Sequence, residues 1–139
     1  MIAVRRDEHD GVLTGALAEI IGYIRMGAYG GIADGVEQAL RGAADEFVAK
    51  LAAHLRHEEE LLFPALRKSD PGSAPEIAKL EEEHQLLRVY ATELAHRIKA
   101  KDAEGAFEVS RSFLAALFDH IDRERRSVDA RLKLLNAGS

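Results

Sequence analysis

The pattern His-x-x-x-Glu occurs twice among the residues of this chain that could do chemistry. One copy is His54 with Glu58, and the other is His120 with Glu124. Imidazole nitrogen and carboxylate oxygen together are suitable ligands for first-row transition metals. Residues four apart lie on one face of a helix, so each pair could bind one metal centre if its segment is helical. We therefore consider a metal site first.

Sulfur chemistry is excluded, because the 139-residue sequence contains no cysteine. A disulfide, an iron–sulfur cluster, a thiolate zinc site and a thiol nucleophile are all ruled out. Any metal must be bound by nitrogen and oxygen. His9 and His84 are two further candidate ligands outside the repeated pattern.

The segments that carry these residues are predicted to be helical. Alanine, leucine, glutamate and arginine dominate, and apolar residues recur at intervals of three and four. Glycine, proline and aspartate interrupt the pattern at three places, which leaves four helices at about residues 5–26, 34–68, 75–100 and 103–135. Short connections between long helices favour an all-α, up-down-up-down antiparallel four-helix bundle. We expect one domain spanning residues 1–139.

Several local signals refine these boundaries. Ser73 and Glu76 have the spacing of a capping box for the third helix, and Asp102 could cap the fourth. Pro64 cannot donate to the carbonyl of Glu60, and we expect it to kink the second helix.

Apolar stripes predict which face of each helix is buried, and the candidate ligands lie on them. The stripe of the third helix is Ile77, Leu80, His84, Leu87, Ala91, Leu94 and Ile98. That of the second is Phe47, Leu51, His54, Glu58, Leu61 and Ala65, and that of the fourth is Phe113, Leu117, His120, Glu124 and Val128. On the first helix, His9 precedes Leu13, Leu17, Ile20 and Ile24.

The six candidate ligands are predicted to converge at one level of the bundle. At 1.5 Å per residue they fall roughly 15 Å from the same end. An unpaired buried charge costs several kcal/mol, so two inward glutamates need strong partners or a cation. A lone buried histidine or a single His-x-x-x-Glu has an ordinary structural explanation. The convergence of six is what favours a metal.

Other polar residues near the stripes are assigned to a solvated face. Arg88 could be a salt-bridging edge residue or could reach the surroundings of the ligands, but its guanidinium cannot be a ligand. The residues assigned to the solvated face are His57, Glu59, Glu60, Glu81, Glu82, Glu83 and His96.

Taken in order, these motifs resemble the hemerythrin-like, or HHE cation-binding, family. The matching segments are Asp7-Glu8-His9-Asp10, the run from His54 to Pro64, Glu83-His84, and the run from His120 to Glu124. The resemblance covers nearly the whole chain and implies a non-haem di-iron centre with two iron ions per chain. It further implies His9 and His54 on one iron, His84 and His120 on the other, and Glu58 and Glu124 as bridges.

The chain departs from the oxygen-carrying hemerythrins at two positions. Those carriers have a second histidine four residues after the one that matches His84, where this chain has Arg88. They have an aspartate where this chain has Arg125. The retained set is similar to that of bacterial HHE proteins, including iron–sulfur-cluster repair proteins linked to nitric oxide stress.

Three functions remain open from the sequence. The leading hypothesis is a di-iron protein that binds or reduces dioxygen, peroxide or nitric oxide, with or without enzymatic turnover. The alternative is an iron or oxygen sensor that acts through a protein partner. The third is a bundle in which the metal only stabilises the fold.

Charge and hydropathy exclude other classes of partner. The formal net charge is −5 and both signs are interspersed, so we expect no nucleic-acid binding. The first residues lack the apolar core of a signal peptide, and no apolar run approaches the roughly 20 residues of a membrane span. We expect a cytoplasmic protein that does not bind membranes.

Overall fold

The computed structural model describes the backbone of residues 6–28, 34–129 and 131, and the side chains of residues 11–26, 37–128 and 131. Helix α1 spans Arg6–Ala28, and α2 spans Asp34–His57. A π-helical turn, Glu58–Leu62, joins α2 directly to α3, Phe63–Ser69. A 3-10 turn, Pro71–Ser73, leads into α4, Ala74–Lys99. Helix α5, Ala103–Glu124, ends in a second π-helical turn, Arg125–Asp129.

The four long helical rods pack as a bundle. Helix α1 lies against α2 and α5, and α4 also lies against α2 and α5. Rods that follow one another in the chain are therefore neighbours, as short connections require. No strand occurs within the described residues. The predicted all-α, up-down-up-down bundle is confirmed.

At the positions whose side chains the structure describes, which leave out His9, three of the four predicted stripes are buried as expected. All seven stripe positions of α4 and all five of the last helix are buried. In α1, Leu13, Leu17, Ile20 and Ile24 are buried as well. A regular helix carries its apolar face along its whole length, so the period alone locates the core side.

The stripe predicted for the second rod is wrong beyond Glu58. Leu61 is 58% exposed and Ala65 is also exposed. The N–H of Phe63 donates to the carbonyl of Glu58, five residues back, so the π-helical turn contains one extra residue. The buried face consequently moves forward by one position. Its members after Glu58 are Leu62, Phe63 and Leu66.

Pro64 lies two residues beyond the end of this turn, as the second residue of α3. It has no N–H to donate to the preceding turn, so regular α-helical hydrogen bonding cannot be complete here. The irregularity observed beside Pro64 is the π-helical turn, and the helical rod continues through it.

The predicted capping box at the start of α4 is wrong. Ser73 has a helical backbone, with φ −79° and ψ −11°, because it ends the preceding 3-10 turn. An N-cap residue needs a non-helical backbone to turn its oxygen towards the helix N–H groups. The hydroxyl of Ser73 instead donates to the carbonyl of Asp70 at 2.6 Å. Glu76 pairs with Arg131 at 3.0 Å.

The cap predicted for α5 is confirmed. Asp102 has a non-helical backbone, and its Oδ1 accepts from the N–H of Gly105 at 2.9 Å. This hydrogen bond lowers the pKa of Asp102, and Arg97, whose Nη1 lies 2.9 Å from Oδ2, lowers it further.

Candidate metal centre

Two buried histidines, one on α4 and one on α5, face each other. His84 of α4 and His120 of α5 lie on the apolar stripes of their helices and are 0% and 3% exposed. Their Nε2 atoms are 3.1 Å apart. The ring of Phe63 packs on the ring of His84 with centroids 5.3 Å apart. The ring of His84 is therefore packed against an aromatic side chain.

Two buried glutamates, Glu58 and Glu124, form a four-residue cluster with these histidines. Glu58 Oε1 lies 3.3 Å from His84 Nε2, and Glu124 Oε2 lies 2.9 Å from His120 Nε2. One ligand atom from each of the four residues can be chosen so that all lie within 4.8 Å of one another. The structure thus brings together four of the six residues predicted to be ligands, from three different rods.

The far side of each imidazole meets a second carboxylate. His84 Nδ1 lies 2.8 Å from Glu59 Oε2, and His120 Nδ1 lies 3.0 Å from Glu83 Oε1. The prediction of a solvated face was therefore wrong for both glutamates. Glu59 lies in the π-helical turn that a regular period cannot foresee, and Glu83 of α4 reaches across to α5.

Each outer carboxylate is bound in turn by an arginine. Arg88 donates from Nη1 and Nη2 to the two oxygens of Glu59, at 2.9 and 2.7 Å. Arg123 donates from Nε to Glu83 Oε2 at 2.8 Å. Each series of contacts runs from an arginine through a glutamate to a histidine: Arg88–Glu59–His84 and Arg123–Glu83–His120. We call them the two relays.

The relays and the burial set the charge of the groups around the cluster. The hydrogen bonds from Arg88 lower the pKa of Glu59, against the effect of burial, and His84 lowers it further. Burial lowers the pKa of His120, and the nearby His84 adds to that effect, whereas Glu83 and Glu58 oppose it. The lowered pKa of Glu59 favours its ionised form and the lowered pKa of His120 favours its neutral form, and both forms suit metal binding.

The model of the family described as the Hemerythrin HHE cation binding domain matches residues 6–129 of the chain. The chain belongs to this family. The buried histidine and glutamate cluster of this HHE domain, together with the match, identifies it as a metal-binding protein. No curated protein and no solved structure matches the chain.

His54 lies beside the four-residue cluster of the HHE domain. Its Nε2 is 3.4 Å from Glu58 Oε1, and its side chain is 12% exposed. The same oxygen of Glu58 therefore lies between His54 and His84. His9 belongs to α1, but its side chain is outside the described residues, so its role as a ligand stays a prediction.

The hydrogen-bond pattern of the HHE domain tests whether the donor set fits a metal. Nδ1 of His84 and of His120 each face an outer carboxylate, and Nε2 of each is directed towards a buried glutamate. The two Nε2 atoms lie 3.1 Å apart beside two buried glutamates, so a cation placed among these four side chains would have nitrogen and oxygen ligands from all of them. Nitrogen and carboxylate donors of this kind fit a first-row transition metal.

A cavity of about 470 Å³ opens between α1 and α2 next to His54. Most of its lining is apolar. His57 also lines it and is exposed, as predicted, away from the buried cluster. The lining residues are Val12, Leu13, Lys50, Ala53, His54 and His57. Among the described residues, no helix has the length and apolar character needed to span a bilayer.

Proposed function

We propose that this HHE domain binds two iron ions and reacts with, or reversibly binds, a small diatomic or peroxide ligand such as dioxygen, nitric oxide or hydrogen peroxide. The observation that carries the proposal is the pair of Nε2 atoms of His84 and His120, 3.1 Å apart between two buried glutamates. Family membership adds support, because the matched domain is a cation-binding one.

The residues proposed to hold the metal are the six predicted from the sequence. His84 and His120 would bind one ion, and His54 with His9 would bind the other. Glu58 is suited to bridging, because its Oε1 lies 3.4 Å from His54 and 3.3 Å from His84. Glu124 lies beside His120 and is proposed as the second bridge.

A non-haem iron pair supplies redox chemistry and open coordination positions for small ligands. The chain itself controls which molecules reach that pair. The ring of Phe63 packs on the ring of His84, and the 470 Å³ cavity beside His54 is mostly apolar. These surfaces favour small neutral molecules over charged metabolites, because an ion entering them would lose its hydration.

A sensor that acts through a protein partner is the second candidate, and the relays favour it. The outer ends of the relays, Arg88 and Arg123, are 36% and 48% exposed. Each is one carboxylate away from a buried histidine. A partner that contacts either arginine would therefore act on groups adjacent to the metal.

Metal analysis of the protein, purified after expression with added iron, tests the proposal. We expect about two iron ions per chain and an optical spectrum that changes on adding nitric oxide or peroxide. Stoichiometric zinc without iron, or no metal, would contradict it. Turnover of peroxide or nitric oxide would favour reaction chemistry, and a ligand-dependent change in oligomeric state would favour the sensor. The cytoplasmic location and the lack of nucleic-acid binding stay predictions.

A further inference from the structure

Two neighbouring residues of one rod contact the two nitrogens of a histidine on the next rod, and this arrangement occurs twice. Glu58 and Glu59 lie 3.3 Å from Nε2 and 2.8 Å from Nδ1 of His84. His84 and Glu83 lie 3.1 Å from Nε2 and 3.0 Å from Nδ1 of His120. Each buried imidazole therefore has its Nε2 in the four-residue cluster and its Nδ1 on an outer glutamate.

The outer glutamates act on a bound metal only through these rings. A neutral imidazole that binds a metal through Nε2 carries its proton on Nδ1, where it can donate to a carboxylate. The negative charge of that carboxylate increases the donor strength of the ring, which favours the more highly charged state of the ion. Glu59 and Glu83 are 25% and 18% exposed, so water screens their charges only in part.

The two arginines at the outer ends of the relays neutralise the glutamates to different degrees. Arg88 donates to both oxygens of Glu59, and one of these oxygens, Oε2, also faces the histidine of that relay. Within the described part of the chain, Arg123 donates from Nε alone, to Oε2 of Glu83, whereas the histidine of its relay faces Oε1. The arginine charge is therefore applied more directly in the first relay than in the second.

We propose that Arg88 and Arg123 set the reduction potential of the iron centre by limiting the negative charge that Glu59 and Glu83 present to the histidine rings. The arginines and the outer glutamates are positioning residues, because they act through the histidines. Both arginines are partly exposed, so an acidic group that binds one of them changes the potential from the surface. This inference rests on the proposed function and adds to it the means by which the potential is set.

The sign of the change in potential separates this role from a structural one. Glu59→Gln removes a negative charge and should raise the reduction potential, because Fe(III) loses more stabilisation than Fe(II). Arg88→Ala removes a positive charge and should lower the potential for the same reason. A loosening of the site that weakens binding of both oxidation states alike does not produce opposite signs. The double variant Arg88→Ala/Glu59→Gln should return towards the wild-type potential.

Spectroelectrochemical titration of the iron-loaded protein under nitrogen measures these changes. We expect each single substitution at Glu59 or Arg88 to alter the ratio of Fe(III) to Fe(II) affinity by about 10-fold, at the lower end of outer-contact effects. A 10-fold change corresponds to about 59 mV for a one-electron couple. Arg123→Ala should lower the potential less than Arg88→Ala, because its Nε binds the carboxylate oxygen that does not face the histidine.

Arg126→Ala is the matched control, since Arg126 is an exposed arginine that pairs with Asp122 outside the relays. It should leave the potential unchanged. Thermal melting of each variant checks folding, and the pair Glu83→Gln and Arg123→Ala decides the question if Glu59→Gln does not retain iron. Changes of the same sign on losing the glutamate and on losing the arginine, or no change in either relay, would overturn the inference while leaving the proposed function intact. Failure of the wild-type protein to bind iron would overturn the proposed function itself.

Discussion

His84 and His120 face each other across the contact between α4 and α5 with their Nε2 atoms 3.1 Å apart. Each ring is also bound at Nδ1 by a glutamate from another rod, so neither can turn away from the other. Replacing the buried Glu124, or Arg88 at the outer end of one relay, should therefore change metal binding in ways that can be measured separately.

The first prediction concerns the buried carboxylate of Glu124. Glu124→Gln should weaken metal binding, because a neutral amide replaces a charged ligand 2.9 Å from His120 Nε2. The metal-free variant should be at least as stable as the metal-free wild type, because it no longer buries that charge. Thermal melting with and without iron checks both parts. An unchanged iron content would show that Glu124 is not a ligand.

The second prediction concerns the relay through Arg88. Arg88→Ala removes two hydrogen bonds to Glu59, at 2.7 and 2.9 Å, and leaves Glu59 less firmly placed against His84. We expect iron affinity to fall about 10-fold, at the lower end of outer-contact effects. Arg126→Ala is the control, since Arg126 makes an exposed ion pair with Asp122, four residues earlier in the chain. Equal losses in the two variants would rule out a specific relay.

The third prediction tests the shift of the buried face at the π-helical turn. Leu62 is 2% exposed and Leu61 is 58% exposed, although the regular period predicted the opposite. Leu62→Ala should lower the free energy of unfolding by about 2–5 kcal/mol. Leu61→Ala should change it by less than about 0.5 kcal/mol. Urea unfolding of the two variants decides between the two registers, and the reverse order would reject the π-helical turn.

The fourth prediction concerns the cap of α5. The N–H of Gly105 and then Arg97 lower the pKa of Asp102, so the folded state favours the ionised form. The stabilisation is present above the ordinary carboxyl pKa of about 4 and is lost as the pH falls through the lowered pKa. Asp102→Asn keeps a capping oxygen without the titration. The melting temperature of the wild type should therefore fall more steeply than that of the variant below about pH 4. Parallel slopes would reject this cause.

Periodicity by itself determined the inward faces of α1, α4 and the last helix. Leu17, His84 and His120 are buried where a uniform helical repeat places them, because each side chain's direction depends only on its position along one regular helix. The same reasoning identified Asp102, whose capping hydrogen bond closes within three residues. Depth along antiparallel rods placed the candidate ligands at one level of the bundle, whereas the pairing of His84 with His120 was implied by the resemblance to the HHE family.

Tertiary structure decided the remaining features, because each depends on a local change of period or on a neighbouring helix. The π-helical turn moved Leu62 inwards and brought Glu59 to His84. Glu83 contacts a histidine on another helix, a relationship that the period of α4 does not contain. Ser73 had the residue type of a cap, but the 3-10 turn before it fixed its backbone in a helical conformation. A sequence pattern specifies which face a side chain takes on a regular helix, whereas the partner it meets depends on how the rods pack.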